Sequence, residues 1–329
     1  MRRFASIVSV GAYAPKKVLT NADLEKMVDT SDEWIFKRTG IRERRIAADD
    51  EAASDLGVCA AKIALERANR RIKDIDLIIL ASLSGDFHSM PSTACVLAGK
   101  LGAKNTPAFD LLAACSGFVY GLSAAKAYIE SGMAQSVLLV GAEAASRFID
   151  YTDRSTCVLF GDGAGACVLA ATDDPQKAVI DVEIATNGKK WDFLTIDGGS
   201  SNTIQSGGVP FIKMRGSETF KLAVRTISTS AAAICKKNGI KSEEIDHFIP
   251  HQANERIIRA VGAILGLKDE RIVLTVDRFG NTSAASIPMA INHIYEENRL
   301  KTGDLMLLDA FGGGLTWGSA LARFAGCPL

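Results

Sequence analysis

Residues Ala108–Gly117, with the sequence Ala-Phe-Asp-Leu-Leu-Ala-Ala-Cys-Ser-Gly, join a largely apolar run to a helix rich in small residues. The pattern predicts a strand over Ala108–Leu112, a short turn through Cys115 and a helix over about Ser116–Glu130. Apolar strands and alanine-rich helices alternate on both sides of this stretch, with predicted elements at Leu77–Leu83 (strand), Thr93–Leu101 (helix) and Val137–Val140 (strand). Because the strand runs are continuously apolar, they are typical of a sheet covered on both faces, and the predicted fold class is α/β.

The chain also resembles itself at about half of its 329 residues. Three pairs of similar segments occur in the same order, at shifts of 170, 166 and 151 residues. The pairs are Ile72–Asp76 with Ile240–Asp246; the stretch around Cys115 with a predicted strand Arg271–Val276, a turn through Asn281 and a helix to about Tyr295; and Phe160–Gly165 with Phe311–Gly314. Three similarities in one order favour a duplicated fold with pseudo-twofold symmetry.

Composition narrows the class of function. Lys and Arg number 38, as do Asp and Glu, so the net charge is zero, and 47% of the residues are hydrophobic. This balance excludes the long-range field of a general nucleic-acid binder and argues against a polybasic membrane anchor. No apolar run approaches the roughly 18 residues that cross a bilayer, so no membrane partner is expected. The seven cysteines are scattered without a C-x-x-C pair, which predicts a reducing, cytoplasmic location and no zinc ribbon.

Cys115 is the strongest candidate nucleophile because it stands at the start of a predicted helix. The unpaired N–H groups and the positive dipole end of a first helical turn lower the pKa of a thiol. The same amides could hold the oxyanion of an acyl-transfer intermediate. The alternative is a small core cysteine, the commonest fate of a free thiol.

His251 and Asn281 are the other candidate catalytic residues. Pro250 ends a strand, which places His251 at the carboxyl edge of a sheet, where α/β proteins usually carry their sites. Pro250 also interrupts the helical spacing of His247, His251 and Glu255, so no metal site is expected. Asn281 precedes Thr and Ser and would make a good helix N-cap, yet the repeat also places it where Cys115 stands in the first half.

A Cys, a His and an Asn permit two chemistries. In a hydrolase the His acts as base and the Asn orients it. In a condensing enzyme the Cys holds an acyl group, while His and Asn donate to a thioester carbonyl as a carbanion develops. The residue types alone leave both alternatives open.

The motifs as a set resemble those of the β-ketoacyl-acyl-carrier-protein synthase III family, in the thiolase superfamily. The similarity runs over nearly the whole chain. The matching motifs are Ser31-Asp32-Glu33-Trp34-Ile35 with Arg38-Thr39-Gly40-Ile41, Ala113–Phe118, Phe160–Gly165, Pro250–Asn254, Gly280–Ser286, and Phe311–Gly314 through Trp317–Ala320.

This resemblance implies a five-layered αβαβα thiolase-like fold, with one half over 1–174 carrying Cys115 and the other over 175–329 carrying His251 and Asn281. It also implies a homodimer that initiates type II fatty-acid synthesis. Acyl-CoA would acylate Cys115, with the Cys115 and Gly314 amides as oxyanion hole. Malonyl-acyl-carrier protein would then lose CO2, its carbonyl held by His251 Nε2–H and the Asn281 amide, to give a 3-oxoacyl-carrier product. No metal or redox cofactor is implied.

The resemblance also assigns binding residues. Trp34 would stack on the CoA adenine beside Arg154, Arg38 would meet the diphosphate, and Asn254 would contact the pantetheine. Phe311 flanks the Gly313-Gly314 turn beside the acyl site. The acidic carrier protein would dock on basic side chains at Lys221, Arg256 and Arg259.

Two departures from the family pattern qualify these assignments. Met90 precedes Pro91 where many relatives have a Phe that reaches over the partner's acyl pocket, and this flexible side chain predicts tolerance of starters longer than acetyl. A related enzyme using longer or branched starters in a specialised pathway therefore stays an alternative. Glu255 stands at a usually apolar position, and Ala263-Ile264 replace a lysine pair, which predicts a thinner docking patch.

Overall fold

The apolar runs form two main sheets in the computed structural model, which describes residues 3–196 and 210–327. The strands are β1 (Phe4–Tyr13), β2 (Lys17–Thr20), β3 (Glu43–Ile46), β4 (Leu77–Ala81), β5 (Ala108–Leu111), β6 (Ser136–Glu143), β7 (Gly163–Thr172), β8 (Val179–Thr186), β9 (Leu194–Ile196), β10 (Ile212–Met214), β11 (His247–Pro250), β12 (Leu305–Gly312) and β13 (Thr316–Arg323). The helices are α1 (Asn21–Leu24), α2 (Asp32–Thr39), α3 (Ala53–Arg67), α4 (Thr93–Leu101), α5 (Gly117–Glu130), α6 (Gly216–Lys237), α7 (Glu255–Ile264), α8 (Val276–Phe279) and α9 (Ser286–Glu296). The predicted helix at Thr93–Leu101 is confirmed with the same first and last residues. Strands β4, β5 and β6 overlap the strands predicted at Leu77–Leu83, Ala108–Leu112 and Val137–Val140.

The two sheets repeat one arrangement of strands. The first has the order β1-β7-β6-β4-β5 and the second β11-β12-β13-β8. In the first, β4 is parallel to β6, whereas β6–β7 and β7–β1 are antiparallel. In the second, β11 is parallel to β12, whereas β12–β13 and β13–β8 are antiparallel. The series β4-β6-β7-β1 therefore matches β11-β12-β13-β8 in order and direction, which confirms the duplication.

The strand predicted at Arg271–Val276 is wrong. Asp269–Arg271 form a 3₁₀ turn, Ile272 makes a single parallel bridge to Phe248, and α8 begins at Val276. The Val273 N–H still donates to the Phe248 carbonyl at 2.9 Å, and beyond this point the Gln252 side chain bonds the main chain of the segment. Gln252 Oε1 accepts from the Thr275 N–H at 2.8 Å, and Gln252 Nε2 donates to the Val273 carbonyl at 3.1 Å.

Around Cys115 and Asn281, the residues that correspond between the two halves of the fold also differ from those that the sequence similarity paired. Ala114 and Ser283 both have left-handed backbone, with φ of 45° and 46°, and each opens a 3₁₀ turn that leads into α5 or α9. The shift between the halves is therefore 283 − 114 = 169 residues at this point. Ala284, and not Asn281, is therefore the counterpart of Cys115. The sequence alignment missed this, because similarity in sequence does not show which residues share a backbone turn.

The helices complete five layers. α3 and α4 cover the outer face of the first sheet, and α6 and α7 cover the outer face of the second. α5 and α9 lie between the sheets, where Phe118, Leu122, Ile287 and Ile291 are buried among strands of both. Burial of these apolar faces drives the assembly and brings the starts of α5 and α9 together at its centre.

Gly141 is a point of close approach between the halves, and its substitution is expected to destabilise the fold. A Cβ at this position would lie 2.4 Å from the Ala284 carbonyl oxygen. Gly141→Ala should therefore lower the free energy of unfolding by about 1–3 kcal/mol in urea titrations. The matched control is Gly99→Ala in α4, where a Cβ meets nothing within 4 Å; this change should raise stability by roughly 0.5–1 kcal/mol. Equal effects of the two substitutions would contradict this packing.

Candidate active site

Two adjoining cavities meet at Cys115. The smaller, of about 100 Å³, is lined by Cys115, His251 and Asn281 together with Asn254 and Phe311. The larger, of about 370 Å³, is lined by apolar side chains and by a glycine turn, including Leu112, Leu194, Ile212, Gly313 and Gly314. The duplicated fold thus brings the three predicted catalytic side chains, which are far apart in sequence, to one buried space.

Cys115 lies on the 3₁₀ turn before α5 and is 3% exposed. Burial raises the pKa of its thiol to about 12, and the nearby charge of Glu143 acts in the same direction. The main-chain N–H of Cys115 at the start of the helix does lower this pKa, as expected, but in the free protein burial has the larger effect. Gly312 explains how a strand end reaches this turn: a Cβ there would lie 2.8 Å from the Cys115 nitrogen.

His251 is held as a neutral hydrogen-bond donor. Its main-chain N–H donates to the Asp309 carbonyl at 2.7 Å, and its Nδ1 lies 2.7 Å from Ser286 Oγ. Ser286 Oγ also accepts from the Gln252 N–H at 3.3 Å, and its own proton can be donated to Nδ1. On this arrangement we assign the ring proton to Nε2. Burial lowers the pKa of His251 to about 3, so the ring is uncharged at neutral pH.

Asn281 is fixed by its main chain and by one side-chain hydrogen bond. Its N–H donates to the Leu159 carbonyl at 2.8 Å, and its own carbonyl accepts from the Gly161 N–H at 3.0 Å. Its Oδ1 accepts from the Ser283 N–H at 2.9 Å. The predicted helix N-cap is wrong, because the cap positions of the 3₁₀ turn and of α9 are Thr282 and Ala285. With Oδ1 engaged by Ser283, the Nδ2 protons of Asn281 are available to a ligand in the cavity.

A surface pocket of about 750 Å³, separate from the two cavities at Cys115, lies around Trp34. The guanidinium carbons of Arg38 and Arg154 lie 4.5 and 4.8 Å from the Trp34 ring centroid. Lys37 and Arg256 also line the pocket. Asn254 links it to the catalytic cavity, because its Nδ2 donates to the Arg38 carbonyl at 3.0 Å.

Three predicted residues lie outside these cavities. Met90 is 83% exposed. Lys221 is exposed on α6. Arg259, on α7, is held by Glu255 at 2.6 Å and by Asp269 at 3.5 Å.

Sequence reasoning missed Glu143, Ser283, Ser286 and Gln252. Glu143 is fully buried at the end of β6, and Ser286 and Gln252 fix the orientation of His251. Glu143 could have been found from the sequence, because it is a single carboxylate at the end of a largely apolar strand and carboxylates are rarely fully buried. Among the residues described, no cluster of His, Cys, Asp or Glu is arranged to hold a metal ion, and no helix is long and apolar enough to cross a membrane.

Comparison with known proteins identifies the family. Residues 109–188 match the family described as 3-oxoacyl-[acyl-carrier-protein] synthase III, and residues 235–324 match its C-terminal part. The β-ketoacyl-[acyl-carrier-protein] synthase III of Sulfurovum sp. strain NBC37-1 is 59% identical, over 98% of this chain and 96% of that protein. The chain belongs to this family. It is therefore a condensing acyltransferase with the thiolase-like fold that the resemblance implied.

Solved structures agree with this assignment. The 3-oxoacyl-[acyl-carrier-protein] synthase III of Aquifex aeolicus is 46% identical with a TM-score of 0.92, covering 97% of this chain and 100% of that one. The priming β-ketosynthase from the R1128 polyketide biosynthetic pathway is 34% identical with a TM-score of 0.93, covering 99% and 98%. The same fold thus occurs in a 3-oxoacyl-[acyl-carrier-protein] synthase III and in a priming β-ketosynthase of a polyketide pathway.

The environment of His251 predicts that its ring does not titrate in the neutral range. The C2-proton NMR signal of His251, assigned with a His251→Gln variant, should stay constant between about pH 8 and 5, because burial lowers its pKa to about 3. A titration with a midpoint near the ordinary histidine value, about 6.5, would contradict the assignment of a neutral donor.

Proposed function

We propose that this β-ketoacyl-acyl-carrier-protein synthase III transfers the acyl group of an acyl-CoA, acetyl-CoA first among them, to Cys115 and then condenses it with malonyl-acyl-carrier protein. The products are a 3-oxoacyl-carrier protein, CoA and CO2, and the reaction initiates fatty-acid synthesis. The observation that carries the proposal is the convergence of Cys115, His251 and Asn281 on one buried cavity.

In the first half-reaction Cys115 Sγ attacks the thioester carbon of acyl-CoA. The amides of Cys115 and Gly314 are the proposed oxyanion donors, and Gly314 lines the larger cavity beside Cys115. The apolar lining of that cavity, from residues such as Leu112 and Leu194, suits an acyl chain.

In the second half-reaction the malonyl carboxylate leaves as CO2, and negative charge builds on the thioester oxygen. His251 Nε2–H and Asn281 Nδ2–H stabilise this charge as neutral donors. A neutral donor suits the step because it strengthens its hydrogen bond as the enolate develops, and no proton has to be released. The carbanion attacks the acyl-Cys115 thioester, and Cys115 departs as thiolate. These steps call for no metal or redox cofactor.

The Trp34 pocket is the proposed site of the CoA nucleotide. The Trp34 ring offers a stacking surface for adenine, and Arg38, Arg154 and Lys37 supply positive charge for the phosphates. Asn254 stands between this pocket and the catalytic cavity, where the pantetheine arm would pass.

The carrier protein is proposed to dock beside this mouth, on Lys221 and Arg256. Arg256 forms no ion pair within the described part of the chain, and its guanidinium lies 5.3 Å from the Phe220 ring. Arg259 fits the role less well, because Glu255 and Asp269 already neutralise it. The proposed docking patch therefore has few unpaired basic side chains, as predicted from Glu255 and from the exposed Ala263-Ile264.

A homodimer is proposed because one chain leaves large apolar side chains exposed, one of which lines the larger cavity. Leu112, which lines the larger cavity, is 77% exposed. Phe87 is 53% exposed and Met90 is 83% exposed. A second copy would cover them and bring Met90 to the partner's acyl pocket. Tolerance of longer or branched starters, as in a specialised pathway, stays the alternative that Met90 favours. The seven free thiols suit the proposed cytoplasmic location.

The hydrolase alternative is disfavoured by the contacts of His251. In a Cys–His–Asn hydrolase the Asn side chain orients the His ring. His251 is instead oriented by Ser286, while the oxygen of Asn281 is engaged with the Ser283 N–H.

Acylation of Cys115 is the test of the proposed function. Incubation with acetyl-CoA should add one acetyl group to the peptide containing Cys115, detected by mass spectrometry, and malonyl-carrier protein should then discharge it with release of CO2. Cys115→Ala should lose both reactions while keeping its fold. The exposed Cys95 provides the control, since Cys95→Ser should be labelled like the wild type. An adduct that persists in Cys115→Ser, or peptide hydrolysis without chain extension, would count against the proposal.

Trp34 should contribute to the binding of CoA and little to the chemical step. Trp34→Ala is expected to raise KM for acetyl-CoA roughly ten- to hundredfold, as loss of an aromatic–base stack does, with kcat nearly unchanged. Trp191, which is 63% exposed on another surface segment, gives the matched control, and Trp191→Ala should leave KM unaltered. An equal rise in both variants would exclude the Trp34 pocket as the nucleotide site.

A further inference from the structure

Arg44, in β3, is a cation buried without a counter-charge. Its side chain has no exposed surface, and it forms no ion pair with a carboxylate of the described residues. Burial lowers the pKa of its guanidinium to about 10, so the group stays charged at neutral pH. Burying an unpaired charge costs free energy, which the contacts made by the charge must offset.

The guanidinium of Arg44 joins three parts of the chain through neutral oxygens. Nη1 donates to the Leu19 carbonyl at 3.1 Å and to Asn21 Oδ1 at 2.9 Å, at the end of β2 and the start of α1. Nη2 donates to the Val158 carbonyl at 2.7 Å, 114 residues further along the chain. Because hydrogen bonds from a charged donor are stronger than those from a neutral one, the Val158 carbonyl is firmly held.

Val158 begins the segment that carries Asn281. The Asn281 N–H donates to the Leu159 carbonyl at 2.8 Å, and the Gly161 N–H donates to the Asn281 carbonyl at 3.0 Å. Both main-chain hydrogen bonds of Asn281 therefore go to residues 159–161. The position of this segment sets the position of Asn281.

The segment 158–162 is attached to β3 at its two ends. At the far end, the Asp162 N–H donates to the Arg45 carbonyl at 2.8 Å, and Asp162 Oδ2 accepts from the Ala47 N–H at 2.7 Å. At the near end, the attachment is the bond from the Arg44 side chain to Val158. Loss of the guanidinium would therefore release the end of the segment that lies next to Leu159.

The aliphatic part of Arg44 packs against both sides of the pairing with Asn281. A Cβ at Gly161 would lie 2.9 Å from the Arg44 Cβ, and a Cβ at Gly280, next to Asn281, would lie 3.2 Å from it. Arg44 thus contacts the segment 158–162 and the turn that bears Asn281 at the same place.

Cys115 is held by different contacts. Ser116 Oγ donates to the Thr316 carbonyl at 3.0 Å, and Thr316 Oγ1 donates to the Ala113 carbonyl at 3.0 Å. These bonds tie the turn of Cys115 to β13 and involve neither Arg44 nor the segment 158–162. Phe160 lines both cavities, so a change at Arg44 should affect acylation of Cys115 to a smaller extent than the step that uses Asn281.

We propose that Arg44 is a positioning residue for the condensation step: through the segment 158–162 it holds Asn281 where its side-chain amide donates to the malonyl thioester oxygen. The inference rests on the proposed role of Asn281 and adds the residue that places it. Arg44 lines neither cavity at Cys115 and acts through Asn281.

The test measures the two half-reactions separately. Acetylation of Cys115 by acetyl-CoA is followed by mass spectrometry without malonyl-carrier protein. Release of CO2 is then followed in a single turnover, after malonyl-carrier protein is mixed with the acetylated protein. Arg44→Lys keeps the charge but loses the planar fork that reaches three acceptors. It should slow CO2 release about 10- to 100-fold and acetylation less than about threefold, because Asn281 is displaced while Cys115 is not.

A double-mutant cycle shows whether Arg44 acts through Asn281. Asn281→Ala removes the donor itself. Adding Arg44→Lys to Asn281→Ala should therefore slow CO2 release by less than about threefold beyond Asn281→Ala alone. If Arg44 served the stability of the fold alone, the two effects would multiply instead.

Arg67 gives the matched control. Its Nη1 also donates to a main-chain carbonyl and to an asparagine side chain, Val10 at 2.8 Å and Asn292 Oδ1 at 2.7 Å, but Arg67 lines neither cavity at Cys115. Arg67→Lys should leave the ratio of the two rates as it is in the wild type.

Thermal unfolding of each variant identifies any loss of fold. If Arg44→Lys does not fold, Asn21→Ala takes its place, because this change removes one acceptor of the guanidinium and leaves Arg44 present. Asn21→Ala should lower the ratio of CO2 release to acetylation, and an unchanged ratio would count against the proposal.

The outcomes separate the role of Arg44 from the proposed function. If Arg44→Lys keeps CO2 release within about twofold of the wild type, or slows both half-reactions equally, the positioning role is wrong and the proposed function stands. Full multiplication of the two effects in the double variant overturns the role equally. If the wild type is not acetylated on Cys115, or the acetylated protein releases no CO2, the proposed function itself fails.

Discussion

The structure depends on one close contact, in which the strand end Gly141–Glu143 of the first half meets the turn before α9 of the second. The absence of a side chain at Gly141 lets the Ala284 carbonyl approach, and the Glu143 carboxylate binds the Ala284 N–H. This contact places the first turn of α5 beside the first turn of α9. Cys115 and Asn281 are thereby placed at one cavity, although each belongs to a different half.

The sequence predicted the layered α/β fold, the duplication and the three side chains that line one cavity, since each leaves a local pattern or a recognisable motif. It failed where long-range contacts override local pattern. The segment Arg271–Val276 has the composition of a strand, but it meets β11 in a single bridge, and the Gln252 side chain bonds the main chain beyond that bridge. The alignment of Asn281 with Cys115 failed because similarity in sequence does not show which residues adopt left-handed backbone.

Burial sets the charge state of the whole site in a way that no motif records. The helix start alone predicts a lowered pKa for the Cys115 thiol, yet desolvation raises it, and the same desolvation keeps His251 neutral and brings the pKa of Glu143 to about 7. A neutral His251 suits the proposed stabilisation of the enolate, because it can donate a hydrogen bond to the developing negative charge without having to release a proton.

The central proposal is that a neutral His251, together with Asn281, stabilises the enolate formed from the malonyl group, and the pH dependence of decarboxylation tests it most directly. In a single turnover of the acetylated protein, the rate of CO2 release should stay constant between about pH 5 and 8, because burial lowers the pKa of His251 to about 3. His251→Ala, which lacks the donor, should release CO2 more slowly at every pH in this range. A wild-type rate that changes with a midpoint near the ordinary histidine value, about 6.5, would contradict the account.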